Sequence, residues 1–287
     1  MCDEFIHPGL VEDHRLSRRS FGVMTAVAAS LPTAALAQSN VVEKDVEVKT
    51  ADGTCDAALF HPAGNGSWAA VLVWPDIMGL RPAFRDMGRR LAAAGYVVLV
   101  PNPFYRSAHA PVIGESFDFS NQEQRNRLFG YRSAMTDAGI DHDAQAYLAF
   151  LDSQPQTNKA KKAGVQGYCM GGALSFRTAA AVPARIAAVG SFHGGNGLVT
   201  KEANSPHLLI PKTSATYLVC QAQNDDMQQP QMKEDLKAAF AAAKRPAMVE
   251  VYQANHGWCV KGGAVYNEAE AQRAWTALTA LYQSSLV

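Results

Sequence analysis

Continuous apolar runs separated by helix-periodic stretches set the strongest limit on how this chain can fold. Ala69-Ala70-Val71-Leu72-Val73-Trp74 contains no charged or amide side chain. A strand with one wet face would alternate, so this run reads as a strand covered on both sides. Residues 96–100 form a second such run, and further strands are expected at 162–166, 186–191, 217–220 and 249–252. Helices are expected at 82–94, 137–151, after Cys169, at 230–243 and at 268–282. The first shows the reasoning: Pro82 suits an opening turn, Phe84, Met87 and Leu91 recur at helical spacing, and Gly95 stops the run. Strands alternating with helices predict an α/β fold, a mostly parallel central sheet covered by helices on both faces. Ahead of it, strands at 41–48 and 55–60 flank Asp52-Gly53, a hairpin turn signal. The composition shows no break after residue 40, so 38–287 reads as one domain. Its least regular part is 101–121, and a loop that long in a compact domain usually covers a site.

The first 37 residues read as an address. Ser17-Arg18-Arg19-Ser20-Phe21-Gly22-Val23 has the form of a twin-arginine export signal. A mildly apolar run follows over 23–37 and ends in Ala35-Leu36-Ala37, an A-x-A site with cleavage before Gln38. The run is too short to serve as a stable membrane anchor, and Pro32 interrupts it. These features predict a partner in the twin-arginine export machinery and a periplasmic location. The competing reading is a cytoplasmic protein with an amphipathic N-terminal helix. Twin-arginine cargo folds before export, a route compatible with a reduced thiol.

Lys plus Arg is 26 and Asp plus Glu is 26 over 287 residues. That balance argues against a nucleic-acid partner, which would draw a basic excess. Cutting after Ala37 removes Arg15, Arg18 and Arg19 together with Asp3, Glu4, Glu12 and Asp13. The remainder then holds 23 basic and 22 acidic residues. None of the five cysteines forms C-x-x-C, so a zinc ribbon and a thioredoxin-type pair lose their usual signature. No heptad or exposed apolar stripe marks an oligomer interface.

Gly167-Tyr168-Cys169-Met170-Gly171-Gly172 lies between an expected strand and an expected helix. G-x-S-x-G in that setting is a nucleophile elbow, here with Cys in place of Ser. The turn is sharp, so neighbours without side chains let the chain pass closely. The helix that follows points its N-terminus at the sulfur, and the backbone N–H of Met170 faces the developing oxyanion. A nucleophile of this kind needs an acid and then a histidine, in chain order. His256, in Asn255-His256-Gly257, follows the last expected strand. The acid should follow the strand before it, where the chain reads Ala222-Gln223-Asn224-Asp225-Asp226. Asp225 is the first choice and Asp226 the reserve, because turn length decides which one points inward.

Taken together, Val73-Trp74-Pro75-Asp76-Ile77-Met78-Gly79-Leu80, the Gly167–Gly172 elbow and Asn255-His256-Gly257 resemble the dienelactone hydrolase family of the α/β-hydrolase superfamily. The resemblance covers roughly residues 42–284 and implies an α/β-hydrolase fold. It implies ester or lactone hydrolysis of a small molecule by a Cys169–His256–Asp225 triad, without metal or cofactor; the named family activity is carboxymethylenebutenolidase. It also places Asp76 where the family has an acid, usually Glu, that contacts the resting thiol. Ile77 would supply the second oxyanion N–H beside Met170. Arg125 falls where a family arginine holds a substrate carboxylate. A second family arginine, four residues after the histidine, is replaced by Val260 with Lys261 next to it, a departure that weakens the case for the original dienelactone. Two further residues fall near these motifs. His193 follows an expected strand, where it lines the same mouth or is satisfied by backbone. Cys259 reads as a buried inert thiol rather than an oxidation partner of Cys169.

Two rival classes remain open on sequence grounds. One is a non-catalytic small-molecule-binding protein on the same fold, against which the intact triad speaks. The other is a thiol-dependent redox enzyme, which lacks a C-x-x-C pair.

Overall fold

The computed structural model describes residues 40–114 and 117–287. The export signal expected at 1–37 lies outside the described residues. Among the described residues, eight strands form one sheet: β1 (Val41–Thr50), β2 (Gly53–Pro62), β3 (Ala69–Trp74), β4 (Tyr96–Pro101), β5 (Ala163–Tyr168), β6 (Ile186–Phe192), β7 (Thr216–Ala222) and β8 (Ala247–Tyr252). Their spatial order is β1-β2-β4-β3-β5-β6-β7-β8. The β1–β2 and β2–β4 pairs are antiparallel and every later pair is parallel. The hairpin turns through Ala51 and Asp52, one residue earlier than the Asp-Gly signal placed it, because Gly53 already pairs with Thr50 as the first residue of β2.

Helices cover both faces, as the unbroken apolar runs require. Every residue of β3, β4 and β5 is buried. One face packs α3 (Asp137–Ser153), α4 (Met170–Ala181) and α6 (Met232–Ala243) through Tyr147, Phe176 and Phe240. The other packs α1 (Pro82–Ala93) and α7 (Glu268–Ser285) through Phe84, Leu91, Leu278 and Tyr282. Burying these side chains supplies the main favourable free energy of the fold, about 1.5–3 kcal/mol for each large apolar group.

Among the described residues, two α-helices have no counterpart in the periodicity. The first, α2 (Gln122–Ser133), buries Leu128 as its only fully covered residue, so it carries almost no apolar stripe to read. Its start is nonetheless encoded: the Asn121 side chain accepts the Gln124 N–H and caps the first turn. The second, α5 (Gln223–Gln228), is a short turn of helix immediately after β7.

The segment 101–121 is irregular and is held in place by polar contacts. Asn102 Nδ2 donates to Asp56 Oδ1 and to the Ala108 carbonyl, and Asp56 Oδ2 accepts the Ala110 N–H. Arg106 reaches Asp52 and the buried Asp143, which also accepts from the Tyr105 hydroxyl. Beyond these anchors, Phe104 and Val112 lie against Gly79, in the turn that follows β3.

Candidate active site

Cys169 is the single residue between β5 and α4, with φ 55° and ψ −120°. A side chain other than glycine rarely adopts such a backbone, and strain of this kind concentrates at working sites. The surrounding glycines follow from close approach. A Cβ on Gly167 would lie 1.8 Å from the Gly171 carbonyl oxygen, and one on Gly171 would lie 2.5 Å from that of Trp74. Only glycine lets α4 cross the ends of β5 and β3 this tightly. The same crossing sets the first turn of α4, with Met170, beside the loop that carries Ile77. Both Ile77 and Met170 are half-buried and pack on the core that contains Phe104, Val112 and Leu128.

The loops after β7 and β8 meet at this end of the sheet. The Gln223 N–H donates to the Ala254 carbonyl, and the His256 N–H donates to Asn224 Oδ1 at 2.8 Å. His256 Nδ1 lies 2.8 Å from Asp225 Oδ2, and the Asp225 residue is buried. Asp226 instead takes the Lys233 ammonium at 2.7 Å. Successive residues of a helix point about 100° apart, so the turn α5 separates the two carboxylates: Asp225 faces the histidine and Asp226 faces α6. Burial by itself would lower the His256 pKa. Hydrogen bonds to Asp225 and Cys169, and the charges of both, more than reverse this and raise it to about 10.

His193 is fully buried at φ 39°, with its ring centroid 4.9 Å from that of His256. Its Nδ1 accepts the Cys169 backbone N–H at 3.1 Å, alongside the Phe192 carbonyl at 3.0 Å. That acceptance puts the ring proton on Nε2, which has no hydrogen-bond partner among the described residues. Burial, and then the neighbouring His256, push the His193 pKa well below its usual value. The ring therefore sits beneath the Cys169 backbone as a neutral imidazole.

The remaining candidates are placed as follows. Asp76 is buried and held by Arg81 in a two-pronged ion pair, Nη1 to Oδ1 at 2.6 Å and Nη2 to Oδ2 at 2.8 Å. Arg125 lies on α2, with Nη1 3.3 Å from the Phe119 carbonyl. Val260 is buried and Lys261 exposed. Cys259 lines a cavity of about 390 Å³ between α1 and α7, with Tyr168, Arg90 and Trp275, and burial pushes its pKa well up. The four described cysteines are all free thiols; burial pushes Cys55 and Cys220 up to about 12. No local sequence signal marks Arg81 or Asn224. Arg81 stands five residues after Asp76, too far for a turn motif to suggest the pairing, and Asn224 is adjacent to Asp225.

A sequence model of the dienelactone hydrolase family matches residues 55–286. The carboxymethylenebutenolidase of Pseudomonas sp. strain P51 is 35% identical over 129 residues, 45% of this chain and 51% of that protein. A Methylorubrum extorquens relative is 28% identical over 169 residues, 59% of this chain and 55% of its own length. The chain spans about half the length of these two curated relatives. Among solved structures, a Klebsiella pneumoniae chain superposes with a TM-score of 0.73 at 22% identity, covering 85% of this chain and 98% of that one. That likeness is one of fold.

Proposed function

Because this chain belongs to the dienelactone hydrolase family, we propose that it hydrolyses a small carboxylic ester or lactone through a thioester formed on Cys169. The observation that carries this reading is the conjunction at one end of the sheet. A cysteine stands alone on a left-handed turn between strand and helix, and its interaction with His256 helps raise that histidine's pKa. Asp225 lies 2.8 Å from the far ring nitrogen.

The chemistry follows from these positions. The Cys169 thiolate attacks the substrate carbonyl carbon and a C–S bond forms. The carbonyl π electrons move onto oxygen, between the backbone N–H groups of Ile77 and Met170. When the tetrahedral intermediate collapses, the C–O bond breaks and the His256 imidazolium protonates the leaving alkoxide. In a lactone that alkoxide stays tethered to the acyl group. Neutral His256 then takes a proton from water, hydroxide adds to the thioester, and C–S cleavage restores the thiolate. Asp225 orients the ring and stabilises the imidazolium.

The test is Cys169→Ala assayed on p-nitrophenyl acetate and small lactones. Loss of turnover by several orders of magnitude is expected, and unchanged turnover would overturn the thiol mechanism. The comparison of carboxylated with neutral esters tests the proposed substrate role of Arg125. A preference for anionic substrates that disappears in Arg125→Gln supports it, and equal rates for both classes count against it.

A further inference from the structure

The Asp76–Arg81 ion pair ties down the turn that carries Ile77. The Asp76 carbonyl accepts the Gly79 N–H at 2.9 Å, which makes Ile77 and Met78 the two corner residues of a four-residue turn. Gly79 closes the turn at φ 72°. The Asp76 carboxylate folds back over the same turn, its Oδ1 accepting the Met78 N–H at 2.9 Å. Arg81 then clamps the assembly from outside: its guanidinium takes both carboxylate oxygens, and Nη1 also donates to the Gly79 carbonyl at 3.2 Å. The guanidinium stands 5.0 Å over the Phe84 ring, and Phe84 in turn packs edge-on against Tyr168, the residue before Cys169. The Arg81 and Asp76 side chains are only 11% and 7% exposed. Two hydrogen bonds inside the turn thus use the N–H groups of Met78 and Gly79, and the N–H at the first corner, that of Ile77, takes no part in them.

We propose that Arg81 is a positioning residue for catalysis: acting through Asp76, it fixes the turn that presents the Ile77 N–H to the oxyanion. This rests on the thioester reading above. It assigns the buried carboxylate to the oxyanion loop rather than to activation of the thiol.

Alkylation of a thiol by iodoacetamide develops no carbonyl oxyanion, so it separates these two roles. Wild type, Arg81→Gln and Arg81→Lys would be compared for kcat and KM on p-nitrophenyl acetate, and for the rate at which iodoacetamide alkylates Cys169 across pH. The expected result for Arg81→Gln is a kcat lower by on the order of 100-fold, the scale of losing one oxyanion donor. KM should stay within a few-fold, and the alkylation rate and its pH profile should be unchanged. Arg81→Lys, which keeps the charge but not the fork, should recover part of the loss, and it carries the test if Arg81→Gln fails to fold. An alkylation rate that falls in step with kcat would overturn the proposal by placing the pair on the thiol. Unchanged kcat in both variants would overturn it as well. Failure of the thioester reading would look different: full alkylation of Cys169 in the wild type would leave ester turnover intact.

Discussion

His256 is held between two partners of opposite use. Asp225 fixes one ring nitrogen, and the interaction with Cys169 helps hold the imidazolium up to a pKa of about 10. Replacing Asp225 by Asn removes the acceptor that sets the tautomer. The expected cost in kcat is on the order of 10³–10⁴-fold. Asp226→Asn, one residue on, loses only a partly exposed contact to Lys233. Its turnover should stay near that of wild type. Steady-state kinetics on the two variants check this, and equal losses would contradict the assignment. The sequence put an acid at this point in the chain and favoured Asp225, but turn length left Asp226 in reserve. The choice depends on the helical turn α5, whose six residues are too few to show a period. His193 was legible as a strand-end histidine that either lines the same mouth or is satisfied by backbone, but its hydrogen-bond partner was not. Its contact with the Cys169 N–H comes from the left-handed φ at residue 193, which no local motif announces.

At the scale of elements, the elbow was legible in detail because its glycines are dictated by backbone contacts that local sequence controls. Adding a methyl group at Gly171 drives it against the Trp74 and Pro75 carbonyls. Gly171→Ala should therefore destabilise the fold by on the order of 3 kcal/mol, at the upper end for overpacking, since backbone atoms cannot rotate away. Thermal unfolding measures it, and an unchanged Tm would show that α4 need not cross β3 this closely. The continuous strands were legible for a related reason: burial on two faces leaves a plain apolar run. Helix α2 was not, because a helix that buries little besides Leu128 offers no stripe. The long loop was legible as irregular chain but not in its path. That path is set by the pairs Asn102 with Asp56 and Arg106 with Asp143, whose partners lie far apart in the chain and meet only in the fold.

Across the whole molecule, His256 and His193 bias stability in opposite pH directions. His256 has its folded pKa raised to about 10 from 6.5. The stabilisation it brings is complete below pH 6.5 and is lost as pH rises from there through about 10. His193 has its folded pKa well below 6.5. The unfolded chain takes up a proton that the folded chain refuses, so stability falls as pH drops below 6.5. Thermal unfolding against pH should show His193→Gln with a shallower acid-side loss than wild type; an identical slope would mean the imidazole is not kept neutral by the fold. The near-balance of charge over the full chain says nothing of this, since the groups that matter are a few local ones. Export is a proposal at this scale too. A fusion carrying residues 1–37 should reach the periplasm folded, and Arg18→Lys with Arg19→Lys should hold it in the cytoplasm; export unaffected by that change would contradict a twin-arginine route. The most direct test of the central claim is to trap the acyl-enzyme. Protein mixed with p-nitrophenyl acetate, quenched in acid within one turnover and digested, should carry one acetyl group on the Cys169 peptide by mass spectrometry. An acetyl group on another residue, with none on Cys169 while turnover proceeds, would contradict it.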